Sequence, residues 1–155
     1  MVVKFKETKT PEGERLKKAL EEIQKLEVFV GFQAGEAKSE DGVDVATYAA
    51  FNEIGTSSVP PRPFMRQSVD DNADRIQAFQ ERCIRQLVNG KSPETVLRQI
   101  GVFQKGLVQD EITDGSFTPN SPATIRRKGS DKPLIDHGTM RKSVNYQIGK
   151  KGDFE

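Results

Sequence analysis

The chain has 155 residues, of which 34% are apolar and 30% charged, with a net charge of +1. That length suits one domain with a core of its own, and the near-neutral balance removes any global pull towards nucleic acid or membrane. The single cysteine, Cys83, excludes an intramolecular disulfide, and no run approaches the roughly 18 apolar residues of a membrane span.

Val2, Val3 and Phe5 predict a short strand, and Lys4, Lys6 and Glu7 interrupt any leader, so a soluble cytosolic product is expected. Thr10 and Pro11 open a helix, with threonine as cap and proline at the first position, where no donor is lost. Leu16, Ala19, Leu20, Ile23 and Leu26 then recur at helical spacing. At "EVFVGF" the period changes to two, which predicts a strand buried on both faces. Residues 33–42, "QAGEAKSEDG", read as a mobile polar loop. Asp44 caps a short helix, "VATYAAFNEI", whose stripe is Val45, Tyr48, Ala49 and Phe51 to Asn52, and Gly55 ends it.

Three prolines within residues 60–63 forbid helix and central strand, so the chain runs extended there. Helix resumes near Pro63 or Phe64, with a break near Asp70, Asp71 and Asn72. Val69, Ile76, Phe79, Ile84, Leu87 and Val88 are its expected buried face, and Cys83 falls in the same pattern as a small hydrophobe. Ser92 and Pro93 start another helix, whose stripe is Val96, Ile100, Phe103, Leu107, Val108 and Ile112. Gly101 and Gly106 inside it suggest close helix packing. Residues 114–136 have little periodicity and form a second mobile segment, with a short helix capped by Ser121. Asp136 caps one more turn, and Val144, Tyr146 and Ile148 alternate as a last strand. The class is α+β: one domain over residues 1–155, a small, mostly antiparallel sheet with four or five helices packed on it, and extended loops.

The chemistry is sparse. With one histidine, His137, and one cysteine, a zinc site lacks ligands, and adjacent Asp136 and His137 do not make a nucleophile's base and orienter. Asp70, Asp71 and Asp74 are the nearest thing to a carboxylate cluster, and no phosphate-binding glycine loop occurs. No cofactor, metal or catalysis is expected. The strongest electrostatic feature is "IRRKGSDK", residues 125–132, basic but without the aromatics that stack on bases. The chain is acidic from Glu36 to Glu53 and basic from Asn120 onward, a polarity that suits head-to-tail self-association.

"SSVPPRPFMRQS", residues 57–68, joins stiff prolines to an apolar anchor and two arginines. Rigid chain docks at lower entropic cost, and arginine and aromatic residues are enriched at binding hot spots. The arrangement expected is Phe64 inside its own core and Arg62 and Arg66 outward.

The longer run "YAAFNEIGTSSVPPRPFMRQSVD" resembles a signature of the tailed-phage tail-completion or neck (head–tail joining) proteins, of the minor tail protein Z type. In those proteins an N-E-x-G-T turn ends a helix and a P-x-R-P-F segment enters a longer one. "PNSPATIRRKGSDKPLIDHGTMRKSVNYQI" is similar to their second block, a P-L-I-D-x-G-x-[ML]-R-x-S run leading into a strand. The two blocks, residues 48–70 and 119–148, cover about a third of the chain. His137 departs from the pattern, standing where the family often has threonine. The resemblance implies a non-catalytic virion protein that completes or joins the tail as a homo-oligomeric ring, a hexamer among the sizes allowed. Its implied partners are the tail tube or tail terminator protein, the head connector proteins and, non-specifically, packaged DNA, with no membrane contact. Carried over, Arg62, Phe64, Met65 and Arg66 from the first block and Arg126, Arg127, Lys128, Lys132 and Arg141 from the second are the candidate contact residues. The alternatives are a tail terminator or minor tail protein, a module holding DNA phosphates through residues 125–151, and a small hydrolase or nuclease using Asp70, Asp71 or Asp74.

Overall fold

The computed structural model describes residues 10–39, 41–135 and 138–153. The strand expected at Val2, Val3 and Phe5, and the cap expected at Asp136 beside His137, lie outside the described residues. Nine elements follow in order: α1 (Pro11–Ile23), β1 (Leu26–Gly31), α2 (Val45–Ile54), α3 (Phe64–Asp70), α4 (Ala73–Val88), α5 (Pro93–Asp114), α6 (Pro122–Lys128), α7 (Thr139–Ser143) and β2 (Asn145–Lys150). The class is α+β. The helices outnumber the four or five expected because the chain does break at Asp71 and because α6 and α7 are distinct short helices.

Local chemistry accounts for the starts. Thr10 Oγ1 accepts from the Gly13 N–H, Asp44 from Thr47, Ser92 from Thr95 and Ser121 from Thr124, each satisfying a donor that a helix start leaves unpaired. Asp44 also accepts from the Gly35 N–H at 2.7 Å, and this bond foremost holds its carboxyl below the ordinary aspartate range. The 33–42 stretch is therefore tied to the start of α2, with a bridge between Lys38 and Asp44 as a further link.

The long helix α5 is the centre of the fold. It packs on both strands and against α1, α3, α4 and α7. β1 and β2 pair antiparallel, Leu26 opposite Lys150 through Gly31 opposite Asn145. A Cβ at Gly101 would overlap the Tyr146 ring, so the missing side chain is what lets α5 lie this close to β2. Gly106 has no neighbour of that kind, against the expectation of close packing at both glycines. The strand β1 is not buried on both faces as expected. Phe29, on the face opposite Val28 and Val30, is exposed, because among the described residues the helices lie on one side of the sheet.

Two apolar clusters flank α5. One holds Val45, Ala49, Phe64, Val108, Ile112, Leu134, Met140 and Val144. The other holds Cys83, Leu87 and Val96, with Ala19, Ile23, Phe79 and Ile100 against it. In the second, Phe79 and Phe103 stack at 4.1 Å and Arg82 covers the Phe79 ring. Burial pushes the Cys83 thiol up, as a core residue requires. The expected buried face of α4 needs correction. Cys83 and Leu87 face α5, whereas Ile84 and Val88 sit one residue on, about 100° round the helix, and are exposed, as is Val69 on the separate α3.

Candidate functional site

The first signature block folds onto itself, and each of its distinctive residues has a partner. Pro63 has φ −78° and ψ 61°, and the Phe64 N–H donates to the Arg62 carbonyl at 2.8 Å. This is an inverse γ-turn, which swings the extended proline segment into α3. A helix that follows proline has no side-chain cap of its own. Glu53, at the far end of α2, provides one: its carboxylate accepts from the Met65 N–H at 2.8 Å and the Arg66 N–H at 3.1 Å. Thr56 Oγ1 accepts from the Val59 N–H, and the Thr56 N–H donates to the Val59 carbonyl, closing the turn between the two helices. Glu53→Ala is expected to cost about 1–2 kcal/mol, in the range of a lost helix cap. Urea unfolding of the pair measures it, and equal midpoints would show that water caps α3 as well as the carboxylate does.

Asn52 and Arg62 form the centre of the joint. The Asn52 carbonyl accepts from the Arg62 N–H at 2.7 Å, Asn52 Oδ1 accepts from Arg62 Nη1 at 3.1 Å, and Asn52 Nδ2 donates to the Tyr48 carbonyl. Arg62 then reaches across to the second block and the residue before it: Nη2 donates to Asn120 Oδ1 and Nε to the Thr118 carbonyl, both at 3.0 Å. Asn120 Nδ2 in turn donates to the Pro133 carbonyl, and the next residue, Leu134, is in the same core as Phe64, Met140 and Val144. The two blocks, separated in sequence, are thus one structural unit.

This arrangement corrects the expectation that both arginines point outward. Arg62 is only 5% exposed and Phe64 is 0% exposed, so within this chain neither offers its side chain to a partner. The reason is geometric: the γ-turn directs Phe64 under α2, and the guanidinium fills the space between α2 and the Thr118 strand of chain. Burial pulls the Arg62 pKa down, and a guanidinium remains charged regardless. Met65 is half-buried against the same core, while Arg66 is exposed as expected.

The second-block candidates are not gathered at this joint. Arg126 and Arg127 are exposed on α6 and Lys128 is half-buried. Lys132 Nζ donates to the Thr113 carbonyl at 3.0 Å and approaches Asp114 at 3.7 Å, so its charge is engaged at the end of α5. Arg141 is exposed, with its carbonyl accepting from Gln109 Nε2. Asn52, Glu53, Thr118 and Asn120 were absent from the expected set. A signal for Glu53 existed: an acid shortly before a proline-led helix that has no cap of its own.

Acidic groups converge elsewhere than in the 36–53 stretch, where Asp44 and Glu53 are used as caps. Asp71, Asp110, Glu111 and Asp114 line an open groove of about 350 Å³ beside Arg75. Partial burial, with Asp71 adding to it, raises the Glu111 carboxyl above the ordinary range. Asp70 and Asp74 are exposed, and among the described residues no group of three or more His, Cys, Asp or Glu could hold a metal ion. No protein-family model, no curated protein and no solved structure matches this chain.

Proposed function

We propose that this chain is a structural virion protein that completes or joins a phage tail at the head–tail interface, working as a ring of identical subunits and without catalysis. It is made in the host cytoplasm and acts in the particle, against the tail tube or terminator on one side and the connector on the other. The observation that supports the reading is the Arg62 joint, where a side chain of the first block is bonded to Asn52 of that block and to Asn120 of the second, so the two blocks meet in one three-dimensional unit.

The joint holds the two blocks together and offers little contact area of its own. Contacts with neighbours then fall to exposed groups: Arg66, Arg126, Arg127 and Arg141, and the apolar Phe51 and Ile54 on α2. The helix α2 supports this, being apolar nearly all round, and such a helix normally belongs in an interior. Ile54, 75% exposed, is its least covered residue.

Sedimentation velocity across a concentration series tests the proposal. The expected result is species that are integral multiples of the 17.3 kDa chain, weakened by Ile54→Asp and by Arg126→Glu combined with Arg127→Glu. A chain that stays monomeric and instead retains duplex DNA at physiological salt, with steep salt dependence, would replace this reading with phosphate binding through α6.

A further inference from the structure

Residues 118–133 cross the first signature block as a strap. Its two feet are apolar: Phe117 packs against the main core at one end, and Leu134 lies inside that core at the other. Between the feet, α6 buries no residue. Among the described residues, no backbone–backbone hydrogen bond joins 118–133 to the rest of the chain; those of the strap lie within α6 and its flanks, as from Ile125 to Ser121 and Gly129 to Ile125. Side chains tie it down. Among them, Lys132 does so at an exposed site open to salt screening, and Arg62 does so from inside, while Lys128 on α6 is engaged as well.

The Arg62 tie has an unusual balance. A buried guanidinium is ordinarily offset by a carboxylate. Here its three hydrogen bonds go to neutral oxygens, those of Thr118, Asn52 and Asn120. Lifting the strap would cost two of these bonds and return the cation to water, which regains solvation that burial removed. Since α6 fully buries no residue and only Thr124, Ile125 and Lys128 of it are half-buried, the hydrophobic cost of lifting it is small beside that of the body. Opening therefore requires far less than unfolding the helical body around α5.

We propose that residues 118–133 are a latched strap: Arg62 is the latch, Phe117 and Leu134 are the hinges, and α6 with Arg126 and Arg127 lifts as a unit while the body stays folded. Arg62 is a positioning residue in this device, holding α6 through Thr118 and Asn120. The latch stands independently of the virion reading. In a ring it would let one surface change position on meeting a neighbour.

Limited trypsin digestion of the full chain, with the first cut located by mass spectrometry, tests it. The expected first cuts follow Arg126, Arg127 or Lys128, at a rate nearly insensitive to urea below the unfolding transition. Arg62→Lys, which cannot reproduce the three-way fork, should raise that rate about tenfold. Asn120→Asp gives the guanidinium its missing carboxylate and gives up only the bond from Nδ2 to the Pro133 carbonyl, which lies within the strap, so it should slow the cutting by a similar factor, and this variant needs no loss of folding to be informative. Cutting whose rate climbs with urea as steeply as global unfolding would overturn the latch. So would Asn120→Asp leaving the rate unchanged. Sedimentation of the same variants keeps the two ideas apart, because a latch that responds as expected in a chain that never associates leaves the strap standing and removes the ring.

Discussion

Phe64→Ala should destabilise the fold by about 3–5 kcal/mol, the range for a large aromatic removed from a packed core. For a domain stable by only ~5–15 kcal/mol this is a large fraction. The ring is completely buried, meets Phe32 edge-on at 6.0 Å, and is surrounded by residues of α2, α5 and α7 together with Leu134. Walls contributed by several rigid elements cannot all close on the vacated space, so the cavity term adds to the lost transfer energy. Phe64→Leu, which keeps most of the volume, should cost less than about 2 kcal/mol. Urea unfolding with linear extrapolation measures both. If the alanine variant lost under about 1 kcal/mol, the site would be shown to collapse readily, and the core around Phe64 would not be the tightly packed one described above.

The second large effect is expected at Gly55, where alanine should cost about 3 kcal/mol from backbone strain and crowding together. Its φ of 77° with ψ of 172° lies in a region essentially confined to glycine. A Cβ there would also stand 2.9 Å from the Pro61 nitrogen and 3.0 Å from the Val59 carbonyl oxygen. Both contacts are with backbone, and the prolines leave that backbone little room to yield. The strain would reach Arg62, one residue further on, so Gly55→Ala should also speed tryptic cutting within α6. A change in global stability without any change in that cutting would mean that the turn and the strap are mechanically separate.

Much of the fold was legible in the chain. The caps at Thr10, Asp44, Ser92 and Ser121 lie within three residues of the groups they satisfy, so the information is local. The same holds for the stripe of α5, since a long periodic run admits one interpretation. The break at Asp71 was visible too, in a cluster of polar residues between two apolar stripes. The faces of α4 and β1 were less legible. Periodicity says that Ile84 and Val88 share an apolar arc with Leu87, but which part of a wide arc meets the neighbouring helix depends on where that neighbour lies. The same reasoning applies to Phe29, whose burial depends on whether a second layer covers the sheet.

The candidate site divides in the same way. Composition and local pattern by themselves determined that residues 60–63 run extended, that a helix follows them, and that Phe64 is an anchor. Where Arg62 points was decided by tertiary structure alone, because two of its acceptors, Thr118 and Asn120, lie 56 and 58 residues further along the chain. An arginine beside prolines looks like a surface hot spot until a distant carbonyl and amide close over it. Hydrogen-bonding capacity is written in the residue type, but its satisfaction is a property of three-dimensional proximity. For that reason the proline segment, its anchor and its arginine could be read from the sequence, and the partners of Arg62 and its inward direction could not.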